Sequence, residues 1–109
     1  MTGGGDILTE VRAAARKRLL FTAHAVQQMT RPERMITHEE VRGAAEHGEV
    51  IEDYPEDPRG RSCLILAQGA SRRPVHVVCS PRDEYLVVVT AYLPDPGEWS
   101  PDFRRRLAR

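Results

Sequence analysis

A chain of 109 residues with 40% apolar side chains has the size of one domain, able to bury roughly 60% of its unfolded surface without disulfides or metal. Sixteen basic residues balance sixteen acidic ones, so overall charge makes no electrostatic case for nucleic-acid or membrane binding. No run approaches the roughly 18 apolar residues of a membrane span, and Met1-Thr2-Gly3-Gly4-Gly5 lacks the basic and apolar regions of a secretory signal, so the expected location is cytoplasmic.

Residues 1–5 read as a flexible lead, 6–48 as helices, 49–93 as an antiparallel sheet and 94–109 as a carboxy-terminal extension. Asp6 is placed to cap a helix with Leu8, Val11, Ala15 and Leu19 on its apolar side. A second helix opens at Thr22, with Phe21, Ala25 and Met29 along one stripe and His24, Gln28 and Arg31 along another. The polar stripe is either a solvated face or one wall of a site. Pro32 ends or kinks this helix. Thr37-His38-Glu39-Glu40 is a capping box for a third helix, and Gly48 is its stop.

From Glu49 the period changes to two. Strands are expected at Val50 to Tyr54, Ser62 to Ala67, Arg73 to Val78 and Leu86 to Tyr92, with turns at Pro55 to Gly60, Gly69 to Ser71 and Ser80 to Glu84. Connections this short cannot hold crossover helices, so consecutive strands should pair as an antiparallel meander. The result is an α+β fold, with helices packed on a four-stranded antiparallel sheet. Ser100-Pro101 suggests a cap and first-turn proline for a short carboxy-terminal helix anchored by Trp99 and Phe103. Cys63 and Cys79 lie in apolar strand patterns and read as buried free thiols.

His76 interrupts a strand of valines. Its ring nitrogens need partners, because each unsatisfied buried polar group costs about 1–3 kcal/mol. Thr90 and Tyr92 share one face of the last strand, and an even register would set His76 beside Thr90 and diagonal to Tyr92, whereas an odd one would separate them. The even register is expected, since it lets the three polar groups satisfy one another. They then form either a satisfied polar patch or part of a site. No H-x-x-x-H, C-x-x-C or G-x-S-x-G is present, which argues against a metal centre or a nucleophilic triad.

Phe21-Thr22-Ala23-His24-Ala25, Met29 with Arg31 and Arg34, Ile36-Thr37 with Glu40-Val41, Gly48 to Tyr54, Arg73 to Val78, and Thr90-Ala91-Tyr92 with Pro94 together resemble the family called domain of unknown function 4258. That family looks like a distant relative of the RelE-like and BrnT-like toxins, small ribonucleases often found beside zinc-finger antitoxins of the MqsA type. The resemblance implies a metal-independent endoribonuclease, with no cofactor, and an antitoxin partner. It carries His24, His76, Thr90 and Tyr92 over as the catalytic set, and points to Gln28, Arg31, Arg34 and Arg73 for RNA phosphate. Many relatives have arginine where this chain has Gln28, and Pro32-Glu33 looks like an insertion. In this scheme His76 and His24 are acid and base for 2′-hydroxyl attack, and losing His76 should lower cleavage by about 10²–10⁴ with the fold intact. The competing expectation is a non-catalytic module that docks protein or nucleic acid.

Overall fold

The computed structural model describes residues 6–108; the predicted lead at 1–5 lies outside them. Asp6 accepts a hydrogen bond from the Leu8 N–H and opens α1 (Ile7–Lys17), which buries Ile7, Val11, Ala14 and Ala15. Arg18 then adopts an extended conformation, and the chain runs into β1 (Leu19–Phe21) and α2 (Ala23–Met29). The capping box forms as predicted: the Thr37 hydroxyl accepts from the Glu40 N–H, and the Glu40 carboxylate accepts from the Thr37 N–H at the start of α3 (His38–His47). Gly48 follows it with an ordinary negative φ. Close approach is what requires glycine there, because a Cβ would stand 2.6 Å from the Ala44 carbonyl and 2.9 Å from that of Leu66.

The sheet comprises β1, β2 (Glu49–Tyr54), β3 (Ser62–Gln68), β4 (Pro74–Pro81) and β5 (Leu86–Tyr92), in the order β1-β5-β4-β3-β2. Strands β2 to β5 form the expected antiparallel meander, but β1 pairs parallel with β5, Leu19 opposite Leu86 and Phe21 opposite Val88. The predicted four-stranded antiparallel sheet is therefore a five-stranded mixed one. Leu19 and Phe21, read as helical stripe positions, are strand residues that pack against the core. Three residues are too few for period two to separate from a helical pattern.

Helices cover one face, where Val11, Ala25, Met29, Val41 and Ala45 meet Cys63, Ile65, Val75, Val77, Cys79, Leu86, Val88 and Ala91. Both cysteines are buried free thiols. The other face is covered by residues 94–108, a strap rather than the predicted helix. Among the described residues it holds no helix; its ends close through a bridge between Trp99 and Arg106 and a bond from the Leu107 N–H to the Glu98 carbonyl. Phe103 sits at φ +61°, which disfavours a helix at that point. Two arginine forks pin the strap to β2: Arg104 to Glu49 at 2.8 Å for both bonds, and Arg106 to Glu52 at 2.9 and 3.1 Å. Among the described residues no helix is long and apolar enough to cross a membrane.

Candidate functional site

A single irregularity in the last hairpin builds the site floor. His76 pairs with Tyr92 and Val78 with Thr90, but Cys79 pairs with Val88, leaving Val89 as a bulge. The predicted even register holds on the His76 side of the bulge and gives way to odd beyond it. Hence Leu86 and Val88 face the helices before it, Ala91 and Leu93 after it, and Thr90 and Tyr92 share the strap-side face with His76. His76 stands opposite Tyr92, with Thr90 diagonal, the reverse of the expected pairing.

The bulge also docks α2. Thr22 donates its N–H to the Val88 carbonyl at 3.1 Å and its hydroxyl to the Val89 carbonyl at 2.9 Å, while capping the helix by accepting from the Ala25 N–H. Because β1 ends at Phe21, opposite Val88, α2 packs against β5 where the edge strand has run out. Ala25 and Met29 turn into the core, and His24 and Gln28 line a cleft of about 370 Å³. Arg34 lines it too, donating to the Gln28 amide oxygen at 3.3 Å. Thr90 and Tyr92 contribute from β5, and Asp95, Glu98, Trp99 and Arg106 from the strap.

Five of the eight residues singled out from sequence thus meet in one cleft: His24, Gln28, Arg34, Thr90 and Tyr92. His76 is not among its lining. It is fully buried, its Nε2–H donating to the Phe103 carbonyl at 2.9 Å and its Nδ1 3.3 Å from the Tyr92 hydroxyl, with the Trp99 ring edge-on at 4.4 Å. Burial pushes its pKa down, partly offset by the bond to Phe103. The neutral tautomer that donates through Nε2 leaves Nδ1 to accept the Tyr92 O–H. Direct proton transfer to substrate is closed to a ring with no exposed surface and both nitrogens engaged, and His76→Ala would open a cavity rather than leave the fold intact.

Two of the arginines stand elsewhere. Arg31 is exposed, 3.9 Å from Glu33. Arg73 is fork-bonded to Glu40 at 2.9 and 3.1 Å and to the Met35 carbonyl at 3.1 Å, a clamp that holds the loop after β3 against α3. Arg73 is engaged in this structural clamp and stands outside the cleft. Arg106 is a cleft cation that no local sequence pattern marks, because it reaches the cleft only through the strap's bridge to Trp99 and the fork to Glu52. It also lies over the Trp99 ring at 4.7 Å, so it is held by a carboxylate and an aromatic face together. Burial raises the Tyr92 pKa; Arg106 opposes that, and Glu52 and Glu98 reinforce it.

The His76 geometry sets a pH dependence. A histidine whose folded pKa lies below its unfolded value of about 6.5 contributes stability that is present above that value and lost as pH falls through it. Thermal unfolding from pH 7.5 to 5 should show the melting temperature falling on the acid side, with a flatter profile in His76→Gln. Equal slopes in the two proteins would rule this out.

Among the described residues no three His, Cys, Asp or Glu side chains are placed to hold a metal ion. No curated protein and no solved structure matches the chain. Residues 21–93 match the family model described as Domain of unknown function (DUF4258), a stretch that holds α2, the bulged hairpin and six of the cleft residues while leaving the strap outside. The chain therefore belongs to the DUF4258 family.

Proposed function

We propose that the cleft binds single-stranded RNA and cleaves it without metal, by attack of a ribose 2′-hydroxyl on the adjacent phosphodiester. The observation that carries this reading is the convergence of an exposed imidazole, His24, with two guanidinium groups, Arg34 and Arg106, over the hydroxyls of Thr90 and Tyr92. Such a reaction needs proton transfer at the 2′- and 5′-oxygens and cations for the charge on the phosphorane. His24 is the proton-transfer group on the α2 wall. Arg34 and Arg106 meet the phosphate, Gln28 orients Arg34, and Tyr92 and Thr90 orient the scissile group. His76 acts behind Tyr92, fixing the phenol's position from the buried side.

The proposed setting is a cytoplasmic toxin–antitoxin pair, with a zinc-finger antitoxin as cognate partner; this rests on the family's resemblance to RelE-like and BrnT-like toxins. A second reading, a degenerate toxin fold that only docks a partner, is favoured by one observation: Arg106 already holds Glu52, so an incoming phosphate must compete for it. Incubating the purified protein with mixed RNA in excess chelator separates the two. The expected products carry 2′,3′-cyclic phosphate and 5′-hydroxyl ends. Intact RNA at micromolar protein would leave the docking module as the reading.

A further inference from the structure

The reaction proposed above needs two proton-transfer groups, and the structure withdraws one of the two histidines assigned to it. His24 remains on one wall. The opposite wall is the strap, whose carboxylates at the cleft are Asp95 and Glu98.

Asp95 shapes the backbone that carries Glu98. The Asp95 carboxylate accepts the Gly97 N–H at 2.8 Å, and its carbonyl takes the N–H groups of Glu98 and Trp99 at 2.9 and 3.1 Å. Asp95 thereby folds the turn on which Glu98 is mounted. The Glu98 backbone is fixed at both its polar groups, since its carbonyl also accepts the Leu107 N–H at 2.9 Å. Its neighbour Trp99 is buried against His76. Glu98 is exposed and lines the cleft. A carboxylate on a backbone held this way needs little reorganisation to serve in proton transfer.

We infer that Glu98 is a catalytic base of this cleft, working across it from His24. The inference rests on the ribonuclease reading and deepens it. Glu98 takes the proton from the ribose 2′-hydroxyl as that oxygen bonds to phosphorus. The bond from phosphorus to the 5′-oxygen breaks, and protonated His24 supplies the proton that oxygen gains. The products are a 2′,3′-cyclic phosphate and a 5′-hydroxyl, with Glu98 protonated and His24 neutral until solvent exchanges their protons. Charges on the other lining groups suit this division: Arg106 shares the strap with Glu98, and Arg34 lies on the His24 side with Gln28. The Glu98 charge is also felt at the Tyr92 phenol, alongside that of Arg106, so the carboxylate lies within electrostatic reach of the cleft floor.

Glu98 and Arg106 lie beyond residues 21–93, the stretch that matches the family model, so the strap of this chain supplies the second half of its own site.

The test compares the parent, Glu98→Gln and Glu98→Asp on a short single-stranded RNA across pH 4 to 9 in chelator. Binding is read separately on the same oligonucleotide with 2′-deoxyribose throughout. Glu98→Gln should lower kcat by about 10²–10⁴ and abolish the ascending, acid limb of the pH profile, leaving the descending limb. Glu98→Asp should keep that limb. Deoxy-oligonucleotide affinity should stay within about threefold and the melting temperature unchanged, as expected for an exposed side chain. A Glu98→Gln protein with parental kcat and both limbs intact would overturn the inference while leaving the ribonuclease reading standing. A parent that cleaves nothing would overturn that reading, and this inference with it.

Discussion

Replacing His24 with alanine should lower RNA cleavage by about 10²–10⁴ while leaving the melting temperature within a degree or two of the parent's. The two halves of this expectation have separate causes. His24 is exposed on the first turn of α2, and the packing of that helix depends on Ala25, Met29 and the Thr22 cap. Exposed substitutions away from such features usually change stability by no more than about 0.5 kcal/mol. The chemical half follows from its place in the cleft with Arg34, Tyr92 and Arg106, where His24 is the one imidazole open to a bound phosphate. Val26→Ala, an exposed change on the same helix, should cut at the parental rate. Added imidazole should partly restore His24→Ala, since diffusible imidazolium can enter the space it leaves and donate the proton that His24 supplied. Cleavage by His24→Ala as fast as by the parent would remove this residue from the chemistry.

Glu40→Ala should be the most destabilising single change in the chain outside the apolar core. The Glu40 side chain is 6% exposed and holds three partners through four bonds: the Thr37 N–H at 3.0 Å, the Ala70 N–H at 2.7 Å and the Arg73 fork at 2.9 and 3.1 Å. Truncation would strand a guanidinium and two backbone donors, and breaking a buried pair from one side costs about 3–5 kcal/mol. For a domain of this size that is a fall in melting temperature of roughly 15 °C or more. The carboxyl itself predicts the pH signature. Burial works against its ionisation, but the bonds from Arg73, Thr37 and Ala70 prevail and lower its pKa from 4.5 to about 2. A depressed carboxylate contributes stability that is present above its unfolded pKa and lost as pH falls toward its folded one. That shift corresponds to about 3 kcal/mol at most. Parental stability should therefore decline between pH 4.5 and 2, and Glu40→Ala should show a shallower decline there. A variant melting within two degrees of the parent, with the same acid slope, would show that this clamp holds nothing.

The Glu40 clamp also separates what was legible from what was not. The capping box could be read from Thr37 and Glu40 because its bonds span three residues, and local bonds leave a local pattern. The second set of Glu40 bonds reaches Ala70 and Arg73, some thirty positions away, and nothing near Arg73 in sequence reveals it. An arginine assigned to phosphate was thus already occupied. The same distinction explains β1, whose three residues become a strand only by lying along Leu86 to Val88.

Sequence alone determined the three helices and the antiparallel meander from β2 to β5, and it set His24 with Gln28 on one helical stripe and Thr90 with Tyr92 on one strand face. These follow from caps, hydrophobic period and short connections, all of which act within a few residues. The tertiary structure alone decided three other things: the bulge at Val89, which sets the face of Thr90 and Tyr92; the burial of His76 beneath Trp99 and Phe103; and the strap that brings Glu98 and Arg106 to the cleft. Each depends on pairing or packing between segments distant in the chain, where one residue of register moves a side chain to the opposite face.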